Sequence, residues 1–174
     1  LQFSGATTYS LTGNLTSGNA LTGNLTIDSG ATLDTTSANN YNIALAGNWD
    51  NNGTFTYNSG TVNFNGTTQF ITDTTFNNLT FAGSGLKTIS GVIVNGTLSM
   101  EGTATVSAAL TYGGSATLQY KGSSTQTTGA ELPATIFNLT VNNANGVILS
   151  IKILCIFEFL LICFLKVIWC LFVI

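Results

Sequence analysis

Blocks of this chain repeat, and tandem self-similarity restricts the available folds more tightly than any local propensity. Leu11-Thr-Gly-Asn-Leu-Thr16 returns ten residues later as Leu21-Thr-Gly-Asn-Leu-Thr26, the length of one strand and one turn. A longer correspondence aligns Tyr57-Asn-Ser-Gly-Thr-Val-Asn-Phe64, followed by Asn65-Gly-Thr-Thr-Gln69, with Tyr112-Gly-Gly-Ser-Ala-Thr-Leu-Gln-Tyr120, followed by Lys121-Gly-Ser-Ser-Thr-Gln126. After each stands a second shared block, Phe76-Asn-Asn-Leu-Thr-Phe81 in one copy and Phe137-Asn-Leu-Thr-Val141 in the other. A third correspondence pairs Gly23-Asn-Leu-Thr-Ile27 with Gly96-Thr-Leu-Ser-Met100.

Within these blocks apolar and polar residues alternate: Phe55/Tyr57, Val62/Phe64, Leu79/Phe81, Leu98/Met100 and Leu139/Val141 are separated by Thr, Asn or Ser. A period of two sends the apolar set to one side of a strand. Asn-Gly and Ser-Gly pairs, such as Asn52-Gly53, Asn65-Gly66, Ser29-Gly30 and Ser59-Gly60, mark the corners, where positive φ is tolerated. Two all-β architectures use such strands. Asn-Gly turns favour hairpins and an antiparallel β-sandwich. Tandem self-similarity and the lack of helical periodicity favour a parallel β-solenoid of stacked coils, which is the expectation here.

Only 6% of the residues are charged, against about a quarter in an ordinary domain, and there is no histidine. Lys87 and Lys121 are the only cations before residue 150, too few to neutralise phosphates, so nucleic acid is excluded as a partner. A metal site is not expected either. Repeat-borne calcium sites need an Asp in every repeat, and zinc needs paired Cys or His spacings; neither pattern is present.

The blocks Gly60-Thr-Val-Asn-Phe64 and Phe76-Asn-Asn-Leu-Thr80, with Gly47-Asn-Trp49 ahead of Asn52-Gly-Thr-Phe55, resemble the β-strand-repeat regions of large bacterial surface and secreted proteins, of the adhesin or autotransporter-passenger type. The resemblance covers about Tyr9 to Leu149. It implies an extracellular, non-catalytic structural or adhesive element without cofactor, whose partners are glycans or other surface proteins. The chain opens on Leu1 without a signal peptide and reads as a fragment or processed product, with any export signal upstream.

A carbohydrate-binding or carbohydrate-active β-helix is the alternative. Aromatic faces bind sugars, and Trp49, next to Asp50 in an expected corner, is the residue read as exposed; Tyr57, Tyr41 and Tyr112 are further contacts. Hydrolysis or elimination needs converging carboxylates. Asp28 and Asp34 flank the turn at Gly30 and are the candidates, though a solvated turn role explains both. Asn-x-Ser/Thr acceptors at Asn14, Asn24, Asn52, Asn65, Asn78, Asn95 and Asn138 follow from composition.

Residues 1–149 therefore form one expected β-repeat domain, and 150–174 an apolar tail of another material. All 19 glycines lie at or before Gly146, all three cysteines lie after Ser150, and 21 of the 24 residues from Ile151 to Ile174 are apolar. A shifted reading frame is the first explanation. A transmembrane helix is the second: the length suffices, but Glu158 and Lys166 each cost ~2.5–3.5 kcal/mol inside a bilayer. A buried terminal strand is the third.

Overall fold

The computed structural model describes residues 1–150, and the apolar tail lies outside them. Every strand pairing among the described residues is parallel, and the strands stack as a β-solenoid of about 7 coils. The antiparallel sandwich is thereby set aside. No helix occurs among the described residues, so none is long and apolar enough to cross a membrane.

Each coil contributes strands to three faces. The first face holds β1 (Gln2–Phe3), β3 (Leu25–Ile27), β6 (Trp49–Asn51), β9 (Gln69–Thr72), β12 (Leu86–Ser90) and β15 (Thr105–Val106), and a later pair, β18 (Gln126–Thr127) with β20 (Val147–Ile148), forms its own ladder. The second face is built in two ladders, β2 (Thr8–Ser10), β4 (Thr32–Asp34) and β7 (Thr54–Thr56), then β10 (Thr75–Phe76), β13 (Ile93–Val94) and β16 (Thr111–Tyr112). The third face is one unbroken sheet of β5 (Ile43–Leu45), β8 (Thr61–Phe64), β11 (Asn78–Phe81), β14 (Thr97–Met100), β17 (Thr117–Tyr120) and β19 (Asn138–Val141).

Alternation fills the interior in columns. On the third face Ile43, Val62, Leu79, Leu98 and Leu118 stack in register, beside Leu45, Phe64, Phe81, Met100 and Tyr120, and all are buried. On the first face Leu25, Trp49, Ile71 and Ile89 form another column. Like residues stacked every coil remove nearly all their apolar area from water, at about 25 cal/mol per Å². Parallel pairing between coils satisfies the backbone that such burial would otherwise strand.

Asparagines close the corners. Asn48 N–H donates to Asn24 Oδ1, 24 residues earlier, and Phe70 N–H donates to Asn48 Oδ1 22 residues on. On the third face Thr61 N–H donates to Asn42 Oδ1 and Thr97 N–H to Asn78 Oδ1, each across 19 residues. Coil length varies along the chain, from 24 residues between Leu25 and Trp49 to 18 between Gln69 and Lys87 and 21 between Thr117 and Asn138. The shared Gly-Asn-Leu-Thr motif owes its asparagine to this amide-capping task. Separate bonds limit glycan attachment: Asn78, Asn95 and Asn138 donate from Nδ2 to Ser59 O, Tyr57 Oη and Ser115 O.

The sequence repeats map onto this frame unequally. Tyr57–Gln69 and Tyr112–Gln126 occupy equivalent stations, because β8 and β17 lie on the same face and a buried Gln follows each. The ten-residue repeat does not stack. Leu15 and Leu21 bridge to Ile43 and Leu45 on the third face, whereas Leu25 starts a strand of the first. Gly23–Ile27 and Gly96–Met100 likewise fall on different faces.

Candidate functional site

Trp49 is not exposed. It is the first residue of β6, not a corner residue, and alternation points it inward between Leu25 and Ile71 with 0% exposure. Its ring meets Phe55 at 4.8 Å and Phe76 at 5.4 Å between centroids, both edge-on, the geometry favoured by ring quadrupoles. Its indole N–H, which burial would leave unpaired, donates to Thr74 Oγ1 at 2.8 Å. This corrects the expectation of a sugar-stacking Trp49.

The other expected contacts are dispersed. Asp50 faces outward from β6 and accepts from Asn52 Nδ2 at 3.1 Å and Thr72 Oγ1 at 3.4 Å. Tyr57 sits after β7, half-buried against the core, with its hydroxyl accepting from Asn95 Nδ2 at 3.0 Å. Trp49, Asp50 and Tyr57 thus point to different surroundings and assemble no common site. Asp28 and Asp34 are separately engaged. Asp28 Oδ2 accepts from Gln2 Nε2 at 2.7 Å, while Asp34 Oδ1 accepts from Thr36 N–H and Asn58 Nδ2, both at 2.8 Å.

Two buried polar stations escaped the sequence reading. Lys87 is wholly buried, with Nζ donating to Gly66 O, Thr67 O, Gln69 Oε1 and Ser84 O at 2.7–3.1 Å. Burial pushes its ammonium down to about 8. Gln69 holds the same corner from one coil below, accepting from Gly66 N–H and donating to Leu45 O and Gly47 O. Gln126 repeats this role, accepting from Gly122 N–H and donating to Met100 O and Gly102 O. There Asn143 Nδ2 stands in for the lysine, donating to Gln126 Oε1 and Ser124 O. The paired Gln69 and Gln126 of the aligned blocks are the signal that was available.

The second station is Glu131, 2% exposed, on the loop that follows β18. Its Oε1 accepts from Tyr120 OH at 2.8 Å and from Gly129 N–H at 2.6 Å, and its backbone carbonyl accepts from Tyr112 OH at 2.7 Å. Burial, and then the Glu131 charge, hold both tyrosine hydroxyls above their ordinary range. These hydrogen bonds pin the loop against β16 and β17.

A recess lies on the outside of the third face. Between the bridges Leu15–Ile43 and Leu21–Leu45, where a regular strand would place one residue, the chain inserts Thr16–Ala20. The separation of Asn14 from the amide it caps on Asn42 rises accordingly to 28 residues. A turn closed by Asn19 N–H to Thr16 O, with Gly18 at φ +85°, lets this loop project from the first coil. Beneath it opens a groove of about 550 Å³, floored by Asn42, Ala44, Thr61, Asn63 and Thr80 and bounded at its far side by Glu101.

The floor is shaped by the outward column Ala44, Asn63, Thr80, Ser99 and Gln119, in register from coil to coil. Its small members are buried: Thr80 and Ser99 between the longer Asn63 and Gln119, and Ala44 on the other side of Asn63. Glu101 is held by Ser99 Oγ at 2.9 Å and faces Lys121 at 3.6 Å, a half-exposed pair contributing about 0–1 kcal/mol. Asn63 Oδ1 is buried without a hydrogen-bond partner. No group of three or more His, Cys, Asp or Glu that would hold a metal occurs among the described residues.

Comparisons with protein-family models, curated proteins and solved structures found no match to this chain.

Proposed function

We propose that this chain is a structural or adhesive segment of a bacterial exported surface protein, acting through shape and polar surface and not through catalysis. The observation that carries the reading is the third face: six parallel strands in one unbroken sheet, apolar inside and lined outside by Asn, Thr, Ser and Gln. Stacked coils with paired backbones form a stiff rod in which each coil touches only its neighbours. A nearly uncharged outer face suits many weak polar contacts with glycans or other surface proteins, and it carries little electrostatic steering.

The reading is tested in two parts. Antibodies against residues 1–150 are expected to label intact, unpermeabilised cells that make the protein. Beads coated with the chain are expected to adhere to glycan- or protein-coated surfaces above beads carrying an unrelated β protein. Labelling that appears only after permeabilisation, together with no adhesion, would remove the proposal.

A further inference from the structure

We propose that the groove under the Thr16–Ala20 loop is a binding site for a neutral, hydroxyl-rich glycan. This deepens the adhesive reading by assigning it a place and a ligand class.

The chemistry of the groove selects between a peptide and a sugar. An extended peptide binds a β-sheet by adding backbone hydrogen bonds at a free edge. The groove floor offers no such edge. Its strands pair on both sides, and even β5 is covered, with Ala44 N–H donating to Leu15 O and Leu21 N–H donating to Ala44 O. What remains available is carboxamide, hydroxyl and carboxylate, set on strands ~4.8 Å apart. Hydroxyls that donate and accept from the same atom match such a surface with no backbone register to satisfy.

Charge narrows the class further. Glu101 is the only ionisable side chain lining the groove, and Lys121 meets it from outside the lining. A sulfated or uronic-acid polymer would find no unpaired cation there, whereas a neutral sugar pays no such desolvation. Asn63 supplies the anchoring contact. Its Oδ1 is buried without a donor, a state that costs about 1–3 kcal/mol. Rotation of the carboxamide toward the groove lets a ligand hydroxyl satisfy that oxygen. The Thr16–Ala20 loop then acts as a wall that limits the ligand to one side of the first coils.

The experiment is binding of the full chain to an array of neutral and acidic oligosaccharides, followed by titration of the best ligand against variants. Neutral glycans are expected to bind, with affinity reduced tenfold or more by Asn63→Leu. Asn65→Trp, which places a large ring on the exposed groove lip without touching the core, is expected to do the same, and Asp50→Asn on the first face is expected to leave binding unchanged. Circular dichroism confirms that each variant is folded. Binding to acidic glycans alone, or neutral binding that both groove variants leave intact, overturns the assignment. Adhesion to protein-coated surfaces with no glycan binding also overturns it while leaving the adhesive reading standing. No glycan binding with no adhesion overturns it and the adhesive half of the proposed function, leaving the structural half to the labelling test.

Discussion

At the scale of single residues, the interior is specified by side chains that would be costly anywhere but where they sit. Trp49 is wholly buried in the core, against the rings of Phe55, Phe64 and Phe76 and bonded to Thr74. Trp49→Ala is therefore expected to destabilise the fold by about 3–5 kcal/mol in chemical denaturation. Lys87 gives a pH signature whose sign follows from its environment. Its folded value is lowered to about 8 from 10.5, so between those values the unfolded chain binds more protons and stability rises with pH. Tyr112 and Tyr120 act oppositely: the unfolded tyrosines ionise near 10.0 while the folded ones stay protonated, so stability falls above that point. Denaturant midpoints from pH 7 to 11 should climb and then drop, and Lys87→Met should remove the climb alone. Neither role was legible beforehand. A tryptophan beside Asn48 and Asp50 reads as a corner, and only the register with Leu25 and Ile71 turns it inward.

At the scale of elements, coil corners depend on close approach of backbones. A Cβ on Gly102 would overlap the carbonyl oxygen of Gly83 one coil below, and one on Gly83 would overlap that of Gly66. Gly102→Ala is expected to cost about 1–3 kcal/mol by overpacking. Gly114→Ala, with nothing within 4 Å, should stay within about 0.5 kcal/mol in the same assay. Strand alternation and the Gly-bearing corners were readable from sequence, as was the equivalence of Asn78–Phe81 with Asn138–Val141, both on the third face, although Phe76 is buried in β10 of the second face and Phe137 is exposed outside any strand. Coil length was not. It runs from 24 residues between Leu25 and Trp49 to 18 between Gln69 and Lys87 and back to 21 between Thr117 and Asn138, so no fixed period marks which strand stacks on which. The groove was hidden for a related reason. Thr16–Ala20 reads as an ordinary turn, and only the two bridges flanking it reveal an insertion over a neighbouring face.

At the scale of the whole molecule, the third face as described ends on β19, where Leu139 and Val141 continue inward columns yet are 47% and 55% exposed among the described residues. Phe137 and Ile148 are exposed at the same end. A bare parallel edge with apolar side chains is a template for another strand. A chain cut after Ser150 should self-associate as its concentration rises, and Leu139→Lys with Val141→Lys should suppress this in sedimentation velocity. The parallel stacking also sets how the molecule scales. Each coil advances the axis by only ~4.8 Å, so about 7 coils reach ~34 Å. A single α-helix gains that length in roughly 23 residues at 1.5 Å each. Growth by coils therefore yields girth and bending stiffness in place of reach, and it rules the surface with side-chain rows at a fixed pitch. Lengthening such a rod multiplies the places where a partner can register without changing the local geometry that it meets.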